Sequence, residues 1–360
     1  MRLKYIGVAC LAVLACSDGT ESRSVGDGGS GALDAAVSDE EPFVAGSGER
    51  IARVMDYDTL WTYGGPDDTL LAAPIRMAAA PMGGVYVLDA GMSKVYHFAD
   101  GRLIWSWGTV GQGPGEILNV RAMDADPETG GVVLVDSRNR RIIWLSSDGS
   151  LLREMPIEAS SPLIPTVAAL GGGLGYVIST YAVEFPLMHI AKHGDSPRSI
   201  PAPWDGLVSK NAIQVMGSVF ATSDGRWGYA LTTGDRWFVY PSVNAEAPRA
   251  HPYIEHVDFP EVVISETKTG NSVSRSTSFA TTPVYSAYDS DVKADTLFVL
   301  AGASAAREAL DVYTIGDGQY IETRSLPGRF TRVALAGDTV FVIDQRGVSP
   351  VILSLHSTER

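Results

Sequence analysis

A fifteen-residue pattern recurs in this chain without a gap and limits what the chain can fold into. Val132–Ser146 reads VVLVDSRNRRIIWLS, Val340–Ser354 reads VFVIDQRGVSPVILS and Val85–Ala99 reads VYVLDAGMSKVYHFA. Each copy holds four β-forming residues, an Asp at the same place, a polar turn and a second β run. One such unit cannot bury both of its faces alone. Copies spaced by roughly 40–50 residues must stack on one another, as the blades of a β-propeller do.

The turn signals extend two of the copies to four antiparallel strands, the size of one blade. In one, Ala122–Ala125 leads through Asp126–Gly131 into Val132–Val135, then Ile142–Leu145, then across Ser147-Asp148-Gly149 into Leu151–Pro156. In the other, Arg76–Ala80, Val85–Leu88 and Val95–Phe98 precede Asp100-Gly101 and Leu103–Trp107. Weaker copies fill the interval, with inner strands expected at Val167–Leu170, Val219–Thr222 and Val284–Tyr288. The last copy begins at Phe330–Ala334 and has no fourth strand of its own. The N-terminal stretch Met55–Tyr63 supplies a spare one, and its Leu60-Trp61-Thr62-Tyr63-Gly64 matches Ile104-Trp105-Ser106-Trp107-Gly108. The expectation is an all-β, six-bladed β-propeller over residues 50–360, closed by the N-terminal strand pairing with the last blade. Closure removes an open sheet edge that would invite aggregation. The polar, Ser/Thr-rich segment from about Pro252 to Pro283 is expected to be a loop insertion with at most a short helical turn.

Residues 1–15 are expected to be a signal peptide. Arg2 and Lys4 precede the apolar run Ile6–Ala15, which is too short to span a bilayer as a helix. The run ends in Val13-Leu14-Ala15-Cys16, which resembles a bacterial lipobox. The resemblance implies cleavage before Cys16 and a diacylglycerol on its sulfur. Ser17 follows, and the sorting rule of such lipoproteins then points to the outer membrane. Cys10 departs with the signal, so no disulfide forms and hydrophobic packing must hold the fold. Residues 16–49 read as a flexible acidic tether. Ser17–Glu49 holds eight acids against one Arg, within a formal net charge of −14. That acidic balance excludes nucleic acid as a partner.

At Asp136-Ser137-Arg138-Asn139-Arg140-Arg141-Ile142 the chain resembles the NHL repeat. The preceding Gly111-Gln112-Gly113-Pro114-Gly115-Glu116 is similar to the Gly-Pro-Gly-Glu loop of bacterial six-bladed β-propeller lipoproteins. The resemblance covers residues 105–156 most specifically, then 75–104 and 329–355. It implies fold and cellular location and assigns no activity.

Three arginines form the one constellation with chemical promise. Arg76, Arg121 and Arg332 each stand near the start of an inner strand, in blades one, two and six. Inner strands line the central channel, so the three are expected to meet at its mouth. There they can fork onto a carboxylate, sulfate or phosphate, or bond carbonyls and nearby acids such as Glu116 and Asp124. Asp89, Asp136 and Asp344 recur after the second strand, where a carboxylate bonding backbone N–H groups explains them. The histidines fall in no metal-ligand pattern, and none lies on an inner strand. The tryptophans on strands are expected to pack between blades. The leading functional expectation is a non-enzymatic binding or scaffold module, extracytoplasmic and lipid-anchored. Its expected partner is an envelope protein, peptide or glycan met through the channel face, with no cofactor. The alternative is a lactonase-like hydrolase or lyase with a divalent ion in the channel. Asp124 and Asp289 are the acids nearest the inner strands for that role.

Overall fold

A computed structural model describes residues 46, 48–157, 166–170, 173–179, 187–191, 198–201, 203–204, 212–269, 272–345, 347 and 349–359. The expected signal peptide, Cys16 and all but the end of the expected tether lie outside the described residues. Among those described, six antiparallel sheets of four strands or more stand in a ring. Their inner strands are Pro74–Ala79, Val120–Ala125, Val167–Leu170, Gly217–Ala221, Ala287–Lys293 and Arg332–Ala336, in blades one to six. Each inner strand packs beside the next, and the sixth packs beside the first, so the ring is closed.

The burial pattern follows from stacking. A blade's second and third strands are covered on both faces, so their residues are apolar without alternation. Val85–Asp89 and Val132–Asp136 are buried at every position. The outermost strand has one face in water and alternates, as Arg102–Trp107 does. The core accordingly divides into six clusters, one at each blade junction. Tyr86, Leu88, Leu134 and Ile143 fill the junction of blades one and two. Trp227 stacks on Tyr240 within blade four, with ring centroids 3.9 Å apart and planes at 2°.

Ring closure is as expected. Met55–Gly64 pairs antiparallel with Val351–Glu359 and completes the sixth blade. Just before it, Ala52–Arg53 adds a parallel fifth strand to blade five, in register with Thr323–Arg324. Arg50 fixes this strap: its guanidinium pairs with Asp311 at 3.0 Å and with Glu255. Gly48 N–H donates to the Ile254 carbonyl at 2.7 Å.

The match between Trp61 and Trp105 has a packing reason. Each covers the Asp-Gly turn of the next blade. Trp61 lies over Gly101 and Trp105 over Gly149, and Trp105 Nε1 donates to the Ser147 carbonyl at 2.8 Å. Gly149 has φ +82°, and a Cβ there would stand 2.8 Å from the Trp105 ring.

Two expectations need correction. The insertion is no loop with a helical turn: Val262–Thr269 and Ser272–Phe279 form a two-stranded hairpin paired along eight residues. Its Ser/Thr-rich composition hid the strands, because the described side chains of the hairpin, 262–268 and 276–279, are exposed or half-buried and impose no apolar alternation. The fifth inner strand is Ala287–Lys293 and not Val284–Tyr288. Val284 is 55% exposed. The apolar start of that stretch suggested a strand, whereas the real one carries acids.

Candidate functional site

In a propeller the inner strands turn one backbone edge to the axis, so their N–H and C=O groups need partners from side chains or solvent. The channel they enclose has a cavity of about 530 Å³. Met77, Met123, Val167 and Phe220 supply its apolar wall, and Thr166, Ser218, Asp124, Asp289 and Asp291 its polar one. That mixture of an apolar body and a few convergent polar groups is what a small-molecule pocket offers.

Of the three expected arginines, Arg76 and Arg332 meet where the inner strands begin, and Arg121 acts on Arg76 through its charge. Arg76 Nη1 donates to the Ile75 carbonyl at 2.9 Å, and Arg332 Nε donates to that same oxygen from the neighbouring blade. Arg332 Nη1 also donates to the Thr331 carbonyl at 2.5 Å. Arg121, exposed at the rim, is steadied by Asn119 Oδ1 at 2.8 Å. Burial, then the charges of Arg332 and Arg121, lower the Arg76 guanidinium to about 10 against the opposite pull of Asp289. The carbonyl contacts are thus present, and the contacts with Glu116 and Asp124 are not.

Beneath the arginines lie three carboxyl groups. Each reaches from one inner strand to a backbone N–H of the next blade. Asp124 Oδ2 accepts from Ala169 N at 2.8 Å, and Asp289 Oδ2 accepts from Val333 N at 3.0 Å. Asp291 Oδ2 accepts from Leu335 N at 2.7 Å. Thr166 Oγ1 plays the same part toward Val219 N at 3.1 Å. A water-sized sphere touches these acids in the channel, but protein surrounds them and strips most of their bulk solvation. That desolvation raises Asp124 to about 7, against backbone N–H bonds that favour the charged form. Asp291 rises to about 7 for the same first reason, with Asp124 and Asp289 adding repulsion. Asp289 is raised less, because Arg332 and Arg76 offset its burial.

Asp291 was missing from the acids named for the channel. The alternation Asp289-Ser290-Asp291-Val292 carries the signal, since acids at i and i+2 of a strand share a side. Moving the inner strand's start from Val284 to Ala287 reveals it.

The remaining candidates serve the framework. Asp89 accepts from the N–H groups of Ala72, Ala73 and Met92 at 2.7–3.1 Å, tying a turn to the entry of its own blade's inner strand. Asp136 does the same with Leu118 N at 3.1 Å and Asn139 Nδ2 at 2.7 Å. Asn139 Nδ2 also holds the Gly111 carbonyl at 3.0 Å, and Arg141 holds the Gly113 carbonyl at 3.2 Å. The NHL-like residues therefore anchor the Gly-rich loop. His97 bonds the Gly83 carbonyl and His189 the Leu174 carbonyl, both away from the channel. Among the described residues, no three of His, Cys, Asp and Glu converge closely enough to hold a metal ion. No helix among them is long and apolar enough to cross a membrane.

No protein-family model matches the chain, and no curated protein does. Solved structures do resemble it. A DUF4221-family member from Bacteroides vulgatus is 9% identical over 85% of this chain and 99% of its own, with a TM-score of 0.52. U3-55K is 10% identical over 83% and 98%, also at 0.52. Regucalcin from Agrobacterium tumefaciens, a calcium-binding protein, is 14% identical over 86% and 97%, at 0.50. The likeness is one of fold, and a propeller hosts many unrelated functions.

Proposed function

We propose that this chain is an envelope-anchored binding module. A lipid on Cys16 and the acidic tether hold it at the outer membrane. Its channel mouth takes an anionic group of a peptide, glycan or envelope protein. One observation carries this reading: Arg76 and Arg332 meet at the Ile75 carbonyl, Arg121 acts on Arg76 through its charge, and the partners of Arg76 and Arg332 are backbone carbonyls. Asp289 offsets part of this positive charge, and the remainder raises the free energy of the group until a further anion joins it. A carboxylate, sulfate or phosphate can accept from several guanidinium donors at once.

Calorimetric titration of the full chain in detergent with inorganic phosphate tests the reading, alongside the double variant Arg76→Ala, Arg121→Ala. Removal of two charge-assisted contacts, each worth about 1.5–3 kcal/mol, is expected to weaken binding more than a hundredfold. Unchanged affinity for phosphate, sulfate and simple carboxylates retires it.

A second reading, a hydrolase or lyase of the propeller class with a divalent ion in the channel, draws on Asp124 and Asp291, whose carboxyls titrate near neutrality. A melting scan with and without calcium separates the two. A rise of several degrees favours the enzyme, and no shift favours the binding module.

A further inference from the structure

We infer that the channel is shaped for a dipolar guest, with an anionic group at the arginine mouth joined to a primary ammonium seated deeper, between Asp124 and Asp291. The inference rests on the anion-binding reading of the mouth and extends it to the chemistry of the ligand's other end.

Protein encloses the Arg76 guanidinium, and the group lines the cavity. Among the described residues only its Nη1 has a hydrogen-bond partner, the Ile75 carbonyl, which leaves the rest of its donor fork for a guest. An anion placed there meets Asp289 next, but Arg332 and Arg76 offset that carboxyl. The deeper pair is compensated by backbone N–H bonds. The charged groups acting on Asp124 and Asp291 are acids: Asp126 on the first, Asp124 and Asp289 on the second. Glu128 stands at the far mouth. Asp124 belongs to blade two and Asp291 to blade five, which face each other across a six-membered ring. Each of their oxygens accepts one backbone N–H, from Ala125, Ala169, Val292 and Leu335. A carboxylate oxygen has a second lone pair, so a cation can be received without displacing those bonds.

The spacing follows from strand geometry. Asp289 bonds Val333 N and Asp291 bonds Leu335 N, on the strand that Arg332 opens. At about 3.3 Å per residue, the deeper carboxyls stand roughly 7–10 Å below the arginines. An unbranched ω-amino acid of six carbons spans that distance, and the cavity has room for one. At neutral pH the deeper carboxyls carry part of a proton, so an ammonium seated between them must drive that proton off.

The test is calorimetric titration of the full chain in detergent at pH 7 with 6-aminohexanoate, hexanoate, hexylamine and inorganic phosphate. The expected result is that 6-aminohexanoate binds at least tenfold more tightly than hexanoate or hexylamine. Its heat is expected to vary with the buffer's ionisation enthalpy in the sense of proton release. Asp124→Asn with Asp291→Asn is expected to erase the preference while hexanoate still binds, and a melting scan of that variant checks its fold. The wild-type proton release stands independently if the variant fails to fold. Equal affinity for hexanoate and 6-aminohexanoate overturns the inference and leaves the anion reading intact. Binding of hexylamine alone, or of none of the probes, overturns both. Glycyl-glycyl-lysine identifies the source. Tighter binding than 6-aminohexanoate points to a peptide end and weaker binding to a free small molecule, and both outcomes keep the dipolar guest.

Discussion

Replacing Asp136 by Ala should cost about 4 kcal/mol of stability, because the residue is a buried charge that organises a loop from beneath. Its side chain is fully buried. It accepts from Leu118 N at 3.1 Å and from Asn139 Nδ2 at 2.7 Å, and Arg141 Nε lies 3.7 Å away. Leu118 N would lose its acceptor once the carboxylate is gone, and Asn139 Nδ2 would keep only the Gly111 carbonyl. Arg141 would keep Glu154 at 2.8 Å but would lose the charge on its inner side. Removing one member of a buried charged pair costs about 3–5 kcal/mol. Unfolding entropy of about 2.1 cal/mol/K per residue, over roughly 300 folded residues, amounts to about 0.6 kcal/mol/K. The expected fall in Tm is therefore about 6 °C by calorimetry or near-ultraviolet circular dichroism. Asp136→Asn keeps the shape and one acceptor, and should lose about 1–2 kcal/mol. Limited proteolysis should cut the alanine variant first within Thr109–Leu118, since Asn139 and Arg141 would release the Gly111 and Gly113 carbonyls. A fall below about 1 °C with an unchanged cleavage pattern would refute the anchoring argument.

Three further outcomes are expected. Asp124 and Asp291 have folded pKa values raised to about 7, above those of unfolded carboxyls, so their contribution to stability is complete below pH 4 and is lost as pH rises through 7. The Tm difference between wild type and the double Asp→Asn variant should therefore shift against wild type between pH 5 and pH 8, and a pH-independent difference would contradict the burial of these groups. Gly149→Ala places a Cβ at φ +82°, 2.8 Å from the Trp105 ring, and should cost about 2 kcal/mol in a urea unfolding curve. Arg50→Ala leaves Asp311, 3% exposed, without its guanidinium, and should cost about 3–5 kcal/mol and speed proteolysis before Met55.

The fold was legible where packing writes directly into the chain. The blade's middle strands are buried on both faces, so they appear as unbroken apolar runs such as Val85–Leu88 and Val132–Val135. The closing strand was legible through Trp61, which repeats the contact that Trp105 makes with the next blade's Asp-Gly turn. The strap at Ala52–Arg53 left no mark, because two residues held by backbone bonds and one Arg need no apolar pattern. The placing of Arg76 and Arg332 could be foreseen because the start of an inner strand lies beside the channel, within reach of a long guanidinium side chain. Asp291 could not, since its strand begins at Ala287 and carries Asp289, Ser290 and Asp291 where a buried strand would carry valines.

Those acids show how the channel's charge arises from a structural demand. Each inner strand has one unpaired edge, and a buried edge must find donors and acceptors. At the junctions of blades two with three and five with six, the demand is met on the N–H side, and carboxylates answer it. At the junction of six with one, it is met on the carbonyl side, and Arg332 answers it together with Arg76. At the junction of three with four, a neutral Thr166 suffices. The choice between N–H and carbonyl therefore decides the sign of the wall at each blade, and the sum is a channel positive at one mouth and acidic within. Thr166 shows that a neutral side chain can cap an inner-strand N–H of the next blade, whereas Asp124 and Asp291 each cap two N–H groups and bring a charge with them. That charge, carried at a cost in desolvation, is what a cationic guest would meet.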